Sequence, residues 1–176
     1  MSRSLGIMSP VYSMAATVTA VAKRSAGILL HRAGAGGPET REVLLVHPGG
    51  PFWAKRDDGA WSIPKGEYAD GEEPLAAALR EFEEEIGSAL EHVGELVELG
   101  EIRQRNRKLV MAWAAEGDVD ASAVRSNTFT MEWPPRSGRT QEFPEIDRAE
   151  WFPLARARAK LIEAQAAFLD RLEERL

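Results

Sequence analysis

No cysteine occurs anywhere in the 176 residues, which excludes a disulfide framework and any thiolate metal site. That composition fits a reducing compartment, and a cytoplasmic location is expected. Histidine is scarce: His31, His47 and His92 are scattered, without the spacing of a metal site. Long apolar runs are missing too, since no window approaches the roughly 20 residues of a membrane-spanning helix. Positive charge is in deficit, with 22 Lys and Arg against 28 Asp and Glu, a formal net charge of −6. The long-range field therefore repels nucleic acid and phosphate compounds. No nucleic-acid partner and no membrane partner are expected. A polyanionic ligand must arrive with cations or meet a local basic patch.

What is present describes one globular domain with a substantial core, at 44% hydrophobic and 28% charged residues. Residues 1–22 are mildly apolar and carry Arg3, but Ser9-Pro10, Ser13 and Thr17 break the run before a signal-peptide core forms. They are expected to be an extension, partly disordered, ahead of a domain over 23–176. Ser25 to His31 and Glu42 to His47 read as strands, separated by the turn Ala33 to Pro38. Leu96 to Ile102 and Leu109 to Ala115 read as two more, joined by a basic turn from Arg103 to Lys108 whose bland reading is a solvated hairpin end. Asn127 to Trp133 is a further strand candidate, Pro134 to Pro144 reads as loop, and Ala149 to Phe152 as a short strand. Ala155 to Leu176 reads as one helix with an apolar stripe of Leu161, Ile162, Phe168, Leu169, Leu172 and Leu176. Mixed strands with two long helices predict an α/β fold with helices on both sides of a sheet.

The most informative stretch is Gly66 to Gly87, GEYADGEEPLAAALREFEEEIG. Pro74 suits a first helical turn and Gly87 a C-terminal stop, with Leu75, Ala78, Leu79, Phe82 and Ile86 as the apolar stripe. Glu81, Glu84 and Glu85 stand at i, i+3 and i+4, neighbours on one helix face. Unpaired carboxylates so placed repel one another unless cations sit between them. Hard divalent cations such as Mg²⁺ favour an oxygen-only site of this kind, usually together with substrate phosphates. The bland alternative is a solvated acidic face.

These residues also carry a resemblance. The pattern G-x5-E-x7-R-E-U-x-E-E-x-G-U, with U a bulky apolar residue, is that of the Nudix hydrolase family. Gly66, Glu72, Arg80, Glu81, Phe82, Glu84, Glu85 and Gly87 match it, and Ser88 departs where an apolar residue is usual. The resemblance covers roughly residues 23–172 and implies the Nudix α/β/α sandwich, a mixed sheet between helices. It implies hydrolysis of a nucleoside diphosphate linked to another group, by water attack on phosphorus, with Mg²⁺ or Mn²⁺ as cofactor. On this reading Glu84 and Glu85 are principal metal ligands, and Glu81 is a ligand and candidate general base. Arg80 holds a neighbouring carboxylate, Glu72 orients the loop, and the backbone carbonyl of Lys65 is a further ligand. An additional carboxylate outside the motif is common in the family, and Glu142 and Glu145 are the candidates.

Trp61 to Gly66 (WSIPKG) resembles a run in diadenosine-polyphosphate and diphosphoinositol-polyphosphate hydrolases, and in bacterial NTP pyrophosphohydrolases. The Lys65 side chain is a candidate phosphate contact, with Lys55 and Arg56 more weakly placed on an exposed loop. Trp53, Phe129 and Trp133 are candidate flat surfaces for a base, while Trp61, Trp113 and Trp151 are expected in the core. Dinucleoside polyphosphates rank first as substrates and nucleoside triphosphates second, with ADP-ribose and sugar nucleotides behind. A non-catalytic nucleotide sensor of this fold should have lost part of Arg80, Glu81, Glu84 and Glu85, and none is lost. An RNA-end enzyme would want a broad basic groove, which the net charge disfavours. Oligomeric state leaves no trace in the sequence.

Overall fold

A computed structural model describes residues 22–90 and 93–176; the expectations for residues 1–21 and for His92 lie outside them. Ser25 to His31 is buried without alternation, as a strand covered on both faces must be. This central strand is β1 (Arg24–Gly34). A two-residue turn leads into β2 (Gly37–Pro48), so the expected loop is a tight hairpin end. Next come β3 (Lys65–Glu67) and helix α1 (Pro74–Ile86), then β4 (Val97–Arg103) and β5 (Leu109–Glu116). After these follow β6 (Thr128–Glu132), β7 (Thr140–Pro144), β8 (Ile146–Pro153), α2 (Leu154–Lys160) and α3 (Ala166–Glu173).

The main sheet runs β4-β5-β1-β2-β8, with β3 paired to Ser25–Gly27, the stretch of β1 that β2 does not reach. Only β1 and β5 are parallel in it, so the sheet is mixed. Alternate residues of β1 serve opposite layers. Ala26, Ile28 and Leu30 join Ala77, Ala78, Phe82 and Ile86 of α1 on one face. Leu29 joins Ala157, Phe168, Leu169 and Leu172 of α2 and α3 on the other. The fold is the α/β/α sandwich. Full burial of Phe82 alone contributes about 1.5–3 kcal/mol.

Two expectations are corrected. Residues 155–176 are not one helix: α2 ends at Lys160, Leu161 is extended, and a 3₁₀ turn (Glu163–Gln165) precedes α3. The cause is tertiary, because the Ile162 N–H donates to the Trp61 carbonyl at 2.8 Å and the Trp61 N–H to the Lys160 carbonyl at 3.0 Å. Leu176, at 58% exposure, leaves the expected stripe. The segment 134–144 is not all loop either, since β7 pairs antiparallel with β6, Phe129 opposite Phe143. Trp61 and Trp113 are buried as expected, whereas Trp151 is partly exposed beneath the Arg32 guanidinium, 4.1 Å from its ring centre. Among the described residues no helix is long and apolar enough to cross a membrane.

Candidate active site

The acidic motif closes on itself because β3 and α1 are adjacent. Pro74 opens α1, and Gly87 ends it at φ 79° with its N–H donated to the Glu83 carbonyl at 2.8 Å. With the apolar stripe turned to the sheet, Arg80 and the glutamates flank the end of β3. Arg80 is the hub. Its Nε donates to Glu72 at 3.0 Å, and its Nη1 to Glu81 at 2.6 Å and to Glu84 at 3.3 Å. These bonds to Glu72, then Glu81, raise the guanidinium pKa further above its ordinary range, and Arg80 in turn holds the Glu72 carboxyl below its own.

Glu85 faces the other way and accepts the Lys65 backbone N–H at 2.9 Å. Burial pushes its carboxyl up to about 7, against the pull of the Lys65 ammonium and this hydrogen bond, and the charges of Glu81 and Glu145 add to the rise. Burial likewise draws the Lys65 ammonium below the usual lysine range, opposed by Glu85. Gly66 completes the arrangement: a Cβ there would overlap the Glu81 carboxylate, so a bare backbone is what admits Glu81 to this position.

The Glu85 shift has a stability consequence. The native carboxyl keeps its proton up to about pH 7, whereas the unfolded chain releases it near 4.5. Between those values the native state binds more protons, so this group's contribution to stability is lost as pH rises through the window. Thermal melts in chelator should show wild type losing stability relative to Glu85→Gln as pH increases from about 5 to 8. A constant difference between the two would show Glu85 titrating alike in both states.

Among the described residues no three acidic or histidine side chains stand gathered as a metal site. Arg80 draws Glu72, Glu81 and Glu84 to itself while Glu85 turns to Lys65. The residues nevertheless fit a hard cation, since the donors are all oxygen and the space beside Gly66 holds a carboxylate against backbone.

The other expected site residues divide. Glu145, after β7, lies within electrostatic reach of Glu85, while Glu142 is exposed on β7 opposite Thr130. Phe129 packs on Phe143 and over Gly50, and Trp133 meets Phe52 edge-on at 5.5 Å, both on the β6–β7 hairpin. Trp53 instead lines a cleft of about 830 Å³, together with Arg56, Gln104, Arg105, Leu161 and Ile162. Lys55 is exposed and does not line it. Lys160 anchors the loop beneath the cleft, bonded to Asp57 and, at 2.8 Å, to Asp58. The sequence offered the Arg103–Lys108 turn as a grip on a distal phosphate but favoured a solvated hairpin end; in the structure it joins the two regions. Lys108 Nζ reaches Glu67 of β3 at 3.1 Å, and Gln104 to Asn106 form one wall of the cleft. The available signal was a glutamine and an asparagine among the arginines.

A carboxylate-and-arginine edge, linked through the Arg103–Lys108 turn to a guanidinium-lined cleft, suits a phosphorylated ligand. The chain belongs to the NUDIX domain family, whose model matches residues 21–172. It is similar to the RNA pyrophosphohydrolase of Brucella anthropi, 31% identical over 141 residues, 65% of this chain and 74% of that protein. The Brucella ovis RNA pyrophosphohydrolase is 32% identical over 140 residues, 64% and 72% of the two chains. Among solved structures, a Caenorhabditis elegans Ap4A hydrolase binary complex matches with TM-score 0.61 and 22% identity over 85% of this chain and 96% of that one. The NUDIX domain of Shewanella oneidensis NrtR with ADP ribose matches with TM-score 0.56 and 15% identity, over 88% of each chain. At those identities the structures establish the fold. The protein is a Nudix-type pyrophosphohydrolase acting on a phosphoanhydride bond. The family generally uses Mg²⁺.

Proposed function

We propose that the protein hydrolyses a nucleoside 5′-triphosphate group, with the nucleoside in the Trp53 cleft and the phosphates running along the Arg103–Lys108 turn to the α1 carboxylates. The observation that carries this reading is the double attachment of that turn: Lys108 touches β3 at Glu67, and Gln104 to Asn106 wall the cleft. The cleft lies within the usual volume of a small-ligand site, about 300–1,000 Å³. This reverses the order expected from sequence, which placed dinucleoside polyphosphates first. The likeness to a dinucleoside polyphosphate hydrolase is one of fold at 22% identity, whereas the relatives at 31–32% are named RNA pyrophosphohydrolase, an activity on a 5′-phosphate chain. Those relatives also favour a second reading, in which the triphosphate group is the 5′ end of an RNA.

Glu81, Glu84 and Glu85, with the Lys65 carbonyl, would hold Mg²⁺, which when bound neutralises phosphate charge and lowers the pKa of bound water. Glu81 is the candidate base for the attacking water, and Arg80 positions Glu72, Glu81 and Glu84 between turnovers. Lys65, held among the carboxylates, orients a phosphate oxygen. Phosphoryl transfer needs positioning and charge neutralisation above all, and this edge supplies both. We further propose a cytoplasmic location, which the cysteine-free sequence fits.

The test is chromatographic separation of products from a panel of nucleoside triphosphates, dinucleoside tetraphosphates and a 5′-triphosphorylated oligonucleotide, with and without chelator: a monophosphate and pyrophosphate from each triphosphate group, two nucleotides from each dinucleoside compound. Activity should vanish on chelation and return with Mg²⁺ or Mn²⁺, as an all-oxygen donor set requires. Faster turnover of the dinucleoside compounds would restore the original order, and full turnover in chelator would remove the metal reading.

A further inference from the structure

Glu145 is the single residue between β7, in the two-stranded sheet, and β8, in the main one. Its backbone is held from both sides. The Glu145 N–H donates to the Asn127 carbonyl, and the Glu145 carbonyl accepts the Gly49 N–H, each at 2.8 Å. The next residue is fastened by a side chain: the Ser126 hydroxyl accepts the Ile146 N–H at 3.0 Å and lies 3.1 Å from the Ile146 carbonyl. The β2–β8 ladder bulges at the same place, with His47 opposite Arg148 but Pro48 opposite Ile146. Bulges of this kind re-aim the side chains beside them.

Gly49 is what lets the segments close. Its φ lies outside the left-handed region, so conformational freedom is not the reason for glycine here. A Cβ would overlap the Pro144 carbonyl oxygen, which belongs to the backbone and cannot swing aside as a side chain does. The reason is close approach. The Glu145 side chain itself is exposed, so the core makes no use of it. Its location is another matter. Asn127, bonded to Glu145, lines one groove with Arg80 and Glu84, and the Glu145 charge is felt at buried Glu85.

We propose that Gly49 and Ser126 are positioning residues for the hydrolysis: together they fix the backbone at 145–146 so that the Glu145 carboxylate joins Glu81, Glu84 and Glu85 in holding the cation. This rests on the reading of those carboxylates as the metal edge, and not on the choice of substrate.

The experiment compares wild type with Gly49→Ala, Ser126→Ala, Glu145→Gln and the two double variants that combine Glu145→Gln with each of the others. Kinetics are measured on whichever nucleotide of the panel above is turned over, and Mn²⁺ binding without nucleotide by titration calorimetry, with thermal melts to establish folding. Gly49→Ala should lower both kcat and Mn²⁺ affinity by about 10-fold, the lower end of what displaced support of a metal site costs, with little change in nucleotide KM. Ser126→Ala should lower both by about 3-fold, the order of one hydrogen bond, and it carries the comparison if Gly49→Ala does not fold. Neither double variant should lose more than Glu145→Gln alone, since the clamp acts only through that carboxylate. Multiplying losses in the doubles would make the clamp merely structural and overturn the proposal. Mn²⁺ affinity lost in Glu85→Gln but kept in Glu145→Gln would leave the metal edge standing and remove Glu145, and the clamp with it. If no nucleotide is turned over, the function above fails by itself. Mn²⁺ affinity then decides for the clamp: weakened in Ser126→Ala and Glu145→Gln if it positions the carboxylate, unchanged if it does not.

Discussion

Glu85→Gln should lower turnover by roughly 10²–10⁴-fold with the fold intact, the range for removing an essential acid–base group, applied here to a metal ligand. The amide keeps the shape of the side chain and can still accept the Lys65 N–H, so the β3–α1 contact survives. What is lost is the negative charge. Glu84→Gln should fall in the same range, since Glu84 is exposed and the core makes no use of it. Steady-state kinetics at saturating Mg²⁺, with a thermal melt to establish folding, measure both. Near wild-type turnover in either variant would return that residue to a solvated acidic face. The protonation of Glu85 adds a second signature: metal must displace a proton held up to about pH 7, so apparent Mg²⁺ affinity should weaken as pH falls below that value.

Gly66→Ala should cost about 10²-fold in turnover, the order expected when a catalytic group is displaced by an ångström. The added methyl group overlaps the Glu81 carboxylate, the far end of a flexible side chain, so the glutamate yields and the backbone stays. Stability should therefore change little while activity falls, and Gly66→Ala combined with Glu81→Gln should lose no more than Glu81→Gln alone. Additive losses in that cycle would place the effect of Gly66 elsewhere.

Both results depend on a segment that reads almost completely from sequence. The α1 motif is local: Pro74, the apolar stripe and Gly87 specify a helix within thirteen residues, and the spacing of Glu81, Glu84 and Glu85 follows from its pitch. Of the expected stripe Ala78, Phe82 and Ile86 are buried, Leu75 and Leu79 only partly so, and Ala77 joins them, while the carboxylates keep their face. Strands β1 and β5 were equally legible because their apolar content is continuous.

Tertiary structure decided the rest. Residues 155–176 contain no glycine or internal proline to break a helix, yet the chain opens at Leu161 because two backbone hydrogen bonds to Trp61 and burial of Leu161 outweigh weak local preference. That opening shapes the cleft, whose walls come from residues 53–59, 104–106 and 158–166. Strand β7 has almost no apolar alternation of its own and exists because β6 is there to pair with it. The sequence by itself determined the fold family and the carboxylate edge, since helix periodicity and spacing are short-range properties. The cleft, the retreat of Lys55 and the burial of Gln104 required the folded chain, because each depends on segments brought together from opposite ends of the domain.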